Sequence, residues 1–113
     1  NLIELTEFNE NNRAKLSTEA MQELNEMLEL VVDTVSLAIQ SLDQLDVEAA
    51  KQVLANEDQI DQMERKLRKN HIVRLNNGIC TGYAGVIFVD IISNLERVGD
   101  HATNIAQSVI EVK

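Results

Sequence analysis

Apolar residues recur along the first half of this chain at alternating steps of three and four. Met21, Leu24, Leu28, Val31, Val35, Ala38, Leu42 and Leu45 draw one seam along a helix, a spacing that the period-two alternation of a strand cannot produce. Ser17 or Thr18 can serve as N-cap, and Glu19 and Glu23 place negative charge where the helix dipole favours it, which predicts a helix over about 18–45. Asp46 can cap a second helix, and no breaker follows until Asn77-Gly78, so this helix is predicted over about 47–76. Its seam is Val53, Ile60, Met63 and Leu67, with Leu54, Ile72 and Leu75 to one side, and Arg65, Lys66, Arg68, Lys69 and Arg74 crowd its C-terminal half. Thr81 can cap a third helix that ends near Val112, with Phe88, Ile92, Leu95, Ala102, Ala106 and Val109 on its main face and Ile91, Val98 and Ile105 widening it.

Links this short force consecutive helices to run antiparallel. The pattern therefore predicts an all-α fold, an antiparallel up-down-up three-helix bundle over residues 17–113. Residues 1–16 fit it less well: Leu2, Ile3, Leu5 and Phe8 suggest the tail of an upstream helix, and Asn9 to Lys15 a polar linker. The chain does not begin with Met, so it reads as a piece of something longer.

Composition sharpens this picture. At 113 residues the chain is one domain, and two Phe, one Tyr, no Trp and no Pro leave little of the aromatic and turn vocabulary of sandwiches and barrels. A net charge of −9 would repel a phosphate backbone, which disfavours nucleic acid as a partner. The single cysteine, Cys80, can form no internal disulfide and has no evident base beside it. No apolar stretch approaches the roughly 20 residues a membrane span needs, so a soluble segment in a reducing compartment is predicted.

The chemistry, if any, lies in carboxylates. Asp90, Glu96 and Asp100 stand on the third helix, with Glu96 and Asp100 one turn apart at the margin of the apolar face. Glu57, Asp61 and Glu64 repeat the pattern on the second helix, although Asp61 to Arg65 and Glu64 to Arg68 also have the spacing of surface ion pairs. Facing one another in a bundle, the two sets could hold a hard cation, which prefers oxygen ligands; standing apart, they are a solvated acidic face. His71 and His101 complete no Glu-x-x-His pair and read as surface or packing residues. Gly78, Gly82 and Gly85 read as turn glycines that could present amides to an anion. Gly99 is more telling, because a glycine in mid-helix costs about 1 kcal/mol relative to Ala, and close approach of another helix or an ion would account for it.

These residues carry a resemblance. Asn94-Leu-Glu-Arg-Val-Gly-Asp-His-Ala-Thr-Asn-Ile-Ala106 is similar to the signature of PhoU-like domains, with Glu96 to Asp100 as the Glu-x-x-x-Asp motif, and Glu57-Asp-Gln-Ile-Asp61 looks like the matching motif on the preceding helix. His71-Ile-Val-Arg-Leu-Asn-Asn-Gly-Ile-Cys80, followed by Ala84-Gly-Val-Ile-Phe88, resembles more closely the PhoU-like C-terminal region of bacterial sodium/phosphate cotransporter family proteins. The resemblance implies a non-enzymatic regulatory domain in phosphate transport and homeostasis. It would lie at the cytoplasmic face of the membrane, with a transporter domain upstream in the same chain and a second PhoU-like bundle, or self-association, covering part of its surface. It also implies multinuclear iron or zinc bound by Glu57, Asp61, Glu96 and Asp100, with Asp90, Glu64 and Asn104 as further candidates. Two other classes stand beside it: a carboxylate-bridged metalloenzyme of helical-bundle type, and a purely structural interaction module.

Overall fold

A computed structural model describes residues 16–79 and 82–112. The helix fragment and linker expected in the first fifteen residues, Cys80 and the Thr81 cap lie outside them. The described residues form three helices, α1 Thr18–Gln44, α2 Val47–Asn76 and α3 Gly82–Val112, packed as an up-down-up bundle measuring 51 × 25 × 16 Å.

The helices start and stop where local chemistry dictates. Ser17 Oγ accepts from the Ala20 amide at 3.1 Å, and Asp46 Oδ1 from the Ala49 amide at 3.2 Å, so each satisfies an orphan donor of a first turn. α2 ends with Gly78 at φ 72°, while the Gly78 and Ile79 amides return to the carbonyls of Leu75 and Arg74; this is the Schellman closure that Asn77-Gly78 predicts. The α1 end uses the same return, from the Asp46 amide to Ser41, but places Leu45 in the left-handed region at φ 49°. A side chain there costs roughly 1 kcal/mol or more, and the reward is a two-residue link whose second residue already caps α2.

The buried line of α1 is Ala20, Leu24, Met27, Val31, Thr34, Ala38 and Ser41. It shares Leu24, Val31 and Ala38 with the predicted seam and elsewhere shifts by one position, so Met21, Leu28 and Val35 are half-buried flanks while Leu42 and Leu45 are exposed. The shift has a hydrogen-bonding reason. Thr34 and Ser41 return their hydroxyls to Leu30 and Ala38 carbonyls of the same helix, each at 2.7 Å, so their burial leaves no unpaired hydroxyl. Asn56 of α2 then donates to Thr34 Oγ1 at 3.2 Å and accepts from Gln52, a small polar network that the apolar pattern does not reveal.

On α2, Val53, Ile60 and Leu67 are buried as predicted and Met63 half-buried, whereas Ile72 and Leu75 are exposed. On α3, Phe88, Ile92, Ala102, Ala106 and Val109 are buried and Leu95 is a half-buried flank. Gly99 sits against α2: a Cβ there would stand 3.2 Å from Ile60 Cδ1 and 3.5 Å from Glu57 Oε2. The mid-helix glycine therefore marks close helix packing. Gly85 has the same role and is not a turn residue, since its Cβ would lie 2.7 Å from two atoms of the His71 ring.

Contacts also define which flank faces which neighbour. Glu23 of α1 pairs with Asn70 and Arg74 of α2, so residues on the other flank of α1, among them Val32, Val35, Ile39 and Leu42, turn away from α2. Ser93 and Thr103 of α3 reach α2, which turns Ile91, Val98 and Ile105 toward the α1 side. Both flanks meet on one apolar face between α1 and α3, where Val32, Ile39 and Leu42 are each more than half exposed.

Candidate functional site: an acidic groove between α2 and α3

Because α2 and α3 run antiparallel, the predicted carboxylate sets do face one another. Glu57, Asp61 and Glu64, at steps of four and three, follow the flank of α2 that meets α3, and Glu96, Asp100 and Thr103 follow the opposing flank of α3. The centre of the groove is Glu57. Its Oε2 accepts from Thr103 Oγ1 at 2.8 Å, and Asp100 of α3 is the neighbouring carboxylate that raises its pKa.

Burial pushes the Glu57 carboxyl up to about 7; the hydrogen bond to Asp100 and the charges of Asp100 and Asp61 push the same way, and Thr103 partly offsets them. A partly buried carboxyl with two further acids beside it is disfavoured as an anion. A proton on Glu57, or a cation beside it, relieves the repulsion.

The other predicted site residues are placed differently. Glu64 is engaged in an ion pair and hydrogen bond with Arg68, whose Nη2 continues to Ser93 Oγ at 3.0 Å. Glu96 is half-buried one turn before Asp100 and does not contribute to the Glu57 shift. Asp90 is exposed at the margin of an open groove lined also by His71, Ser93 and Arg97, and Asn104 is exposed, its carbonyl accepting from Ser108. Among the described residues no three His, Cys, Asp or Glu side chains stand close enough to hold a metal ion together. The donor chemistry suits a hard cation, and the convergence seen is a pair with Asp61 nearby.

Sequence reasoning missed two features. Thr103, four positions after Gly99 and three after Asp100, is the neutral donor of the pair, and its place on the acidic flank is visible from spacing alone. The second is a buried polar cluster at the far end of α2. Arg74 Nη2 stands 2.9 Å from Glu23 Oε1, Asn70 donates to Glu23 Oε2 at 2.6 Å, and the Arg74 guanidinium lies over Phe88 at 5.3 Å. His71 stacks on Phe88 at 5.2 Å, and burial, reinforced by Arg74, lowers its pKa. Its packing role is thus one of the two expected, while His101 is exposed.

The PhoU domain family matches residues 24–109, a span that holds both carboxylate flanks and most of the core. The chain belongs to the PhoU domain family. A PhoU homologue of Thermotoga maritima, described as phosphate-specific transport system accessory protein PhoU homolog 1, is 31% identical over 99 residues, covering 88% of this chain and 43% of the relative. A phosphate-specific transport system accessory protein PhoU homolog of Aquifex aeolicus is 31% identical over 97 residues, covering 81% of this chain and 43% of the relative. The chain thus spans less than half the length of these curated relatives. No solved structure matches it significantly. The PhoU resemblance read from Asn94 to Ala106 is therefore correct, and so is the three-helix bundle it implies.

Proposed function

We propose that this PhoU domain is a non-enzymatic regulatory module of phosphate transport that works by contact with a transporter. The observation that carries the reading is the family match over residues 24–109, together with two relatives that are named as accessory proteins of phosphate-specific transport systems. The finer form of the proposal is a cytoplasmic-face domain of a sodium/phosphate cotransporter chain, in which a second PhoU-like bundle or a second copy covers the apolar α1–α3 face. Phosphate uptake in cells that carry the transporter, measured with and without the intact chain, tests it. A phosphate-dependent change in uptake supports regulation; turnover of a substrate by purified protein would make it an enzyme, and no effect on uptake would leave a structural module.

Cation binding belongs to the same proposal. In place of the Glu57 proton, iron or zinc would be held by Glu57 and Asp100, with Asp61 the next carboxylate, and Glu96 and Glu64 further along the groove; Asp90 and Asn104 lie off it. The ion would supply charge neutralisation, tying α2 to α3. Ligand binding to the folded state raises its stability by mass action, so iron, zinc or manganese is expected to raise the Tm of metal-free protein. The double change Glu57→Gln with Asp100→Asn is expected to abolish that rise. An equal response of wild type and double variant to every metal would leave the groove without a metal role.

A further inference from the structure

The ten basic residues of this acidic chain are unevenly placed. Arg65, Lys66, Arg68, Lys69 and Arg74 fall within ten positions, and from Arg65 to Val89 no Asp or Glu occurs. This stretch forms one end of the bundle, the last turns of α2 and the first turns of α3. The opposite end, around the α1–α2 link, carries Asp43, Asp46 and Glu48. The bundle is therefore polarised along its length, although its net charge is −9.

The basic end also exposes apolar side chains on both sides of its Asn76-Asn77-Gly78 turn. Ile72, Val73, Ile79, Tyr83 and Val86 are between 50 and 69% exposed, five large apolar side chains within fifteen positions. The bases stand behind them in register. Lys69 and Lys66 precede Val73 by four and seven positions, and Arg68 and Arg65 precede Ile72 by four and seven, so each apolar residue has bases on its own face of α2. At 1.5 Å per residue these charges lie about 6 and 10 Å back along α2 from Ile72 and Val73. Glu23, which reaches this end from α1, is already paired with Arg74 and Asn70, while Glu19 and Asp90 remain exposed at the margin.

We infer that this end docks onto an anionic lipid surface, with Ile72, Val73, Ile79, Tyr83 and Val86 entering the interface and Arg65, Lys66 and Lys69 meeting the headgroup phosphates, while Arg68 stays paired with Glu64. Apolar residues immerse roughly 5–10 Å at such an interface, and that depth places the basic collar at headgroup level. Anionic headgroups attract basic residues within a Debye length, which makes the contact salt-sensitive. An acidic protein segment would satisfy the bases but leave the apolar end in water. No described helix is long and apolar enough to cross a membrane, so the contact is peripheral. The inference needs only charge and exposed surface and stands apart from the transport proposal.

The test is sedimentation of the full chain with phosphatidylcholine vesicles, with and without phosphatidylglycerol. Binding is expected only to the anionic vesicles, weakening as salt rises. The chain has no Trp, so Tyr83→Trp supplies a single reporter, whose emission is expected to shift to the blue on anionic vesicles. Lys66→Glu with Lys69→Glu is expected to lower binding by about tenfold or more, and Val73→Ser with Val86→Ser to remove the emission shift. Ile39→Ser, on the α1–α3 face, is expected to leave both unchanged. All these positions are exposed, and circular dichroism checks that each variant is folded. Absence of binding to anionic vesicles at low salt overturns the inference. So does binding without an emission shift, which would be plain electrostatic adsorption, or equal loss in the Ile39 variant.

Discussion

Glu57 shows how one side chain can acquire a property its residue type does not have. In the unfolded chain its carboxyl titrates near 4.5, and in the folded chain near 7, because burial and Asp100 both disfavour its charge. Between those values the folded state holds a proton that the unfolded state has released. The stability it contributes is complete below about 4.5 and is lost as pH rises through about 7. Glu57→Gln, which keeps the shape and cannot ionise, is expected to gain stability relative to wild type as pH rises through this window. Urea titrations of metal-free protein at several pH values measure the difference, and a constant difference would place Glu57 in solvent. His71, whose pKa is lowered by burial, acts in the opposite sense below about 6.5; comparison of variant with wild type removes its contribution.

At the scale of the element, α1 teaches why an apolar pattern locates a helix better than it orients one. The chain carries two adjacent apolar lines that share Leu24, Val31 and Ala38, and the structure buries the one completed by Met27, Thr34 and Ser41. Leu24 is 1% exposed and Leu42 55%. Leu24→Ala is expected to cost about 2–5 kcal/mol, whereas Leu42→Ala is expected to change monomer stability by less than about 0.5 kcal/mol. Chemical denaturation of the two variants checks this, and a large effect at Leu42 would restore the predicted seam.

The whole molecule exposes the line that α1 did not bury. Gly99, Ala102 and Ala106 offer a flat strip in the sequence, and such a strip suggests a surface for self-association. The structure buries that strip inside the bundle, and the available surface is instead the α1–α3 face with Val32, Ile39, Leu42 and Val98. Its α1 stripe repeats at heptad spacing, the pattern by which one helix seats against another. The isolated chain is expected to associate through this face, and Ile39→Lys to shift it toward monomer in light scattering or sedimentation velocity. An unchanged distribution in that variant would move the contact elsewhere.

Three-four spacing, Ser17, Asp46 and Asn77-Gly78 determine by themselves three helices, the starts of α1 and α2 and the end of α2, because these are local matters of periodicity and orphaned backbone groups. The short link at Leu45-Asp46 and the few residues between Asn76 and Gly82 determine the antiparallel order, and the Asn94 to Ala106 stretch the family. Tertiary structure alone decided the rest. Whether Thr34 or Val35 is buried depends on self-satisfied hydroxyls and on Asn56 of another helix. That Arg74 leaves the basic surface for Glu23, and that Gly85 makes room for His71, depends on partners many residues away. Glu57 and Asp100 could be placed on flanks from spacing, but the raised pKa of Glu57 arises from helix packing that partly buries it with Asp100 as a neighbour.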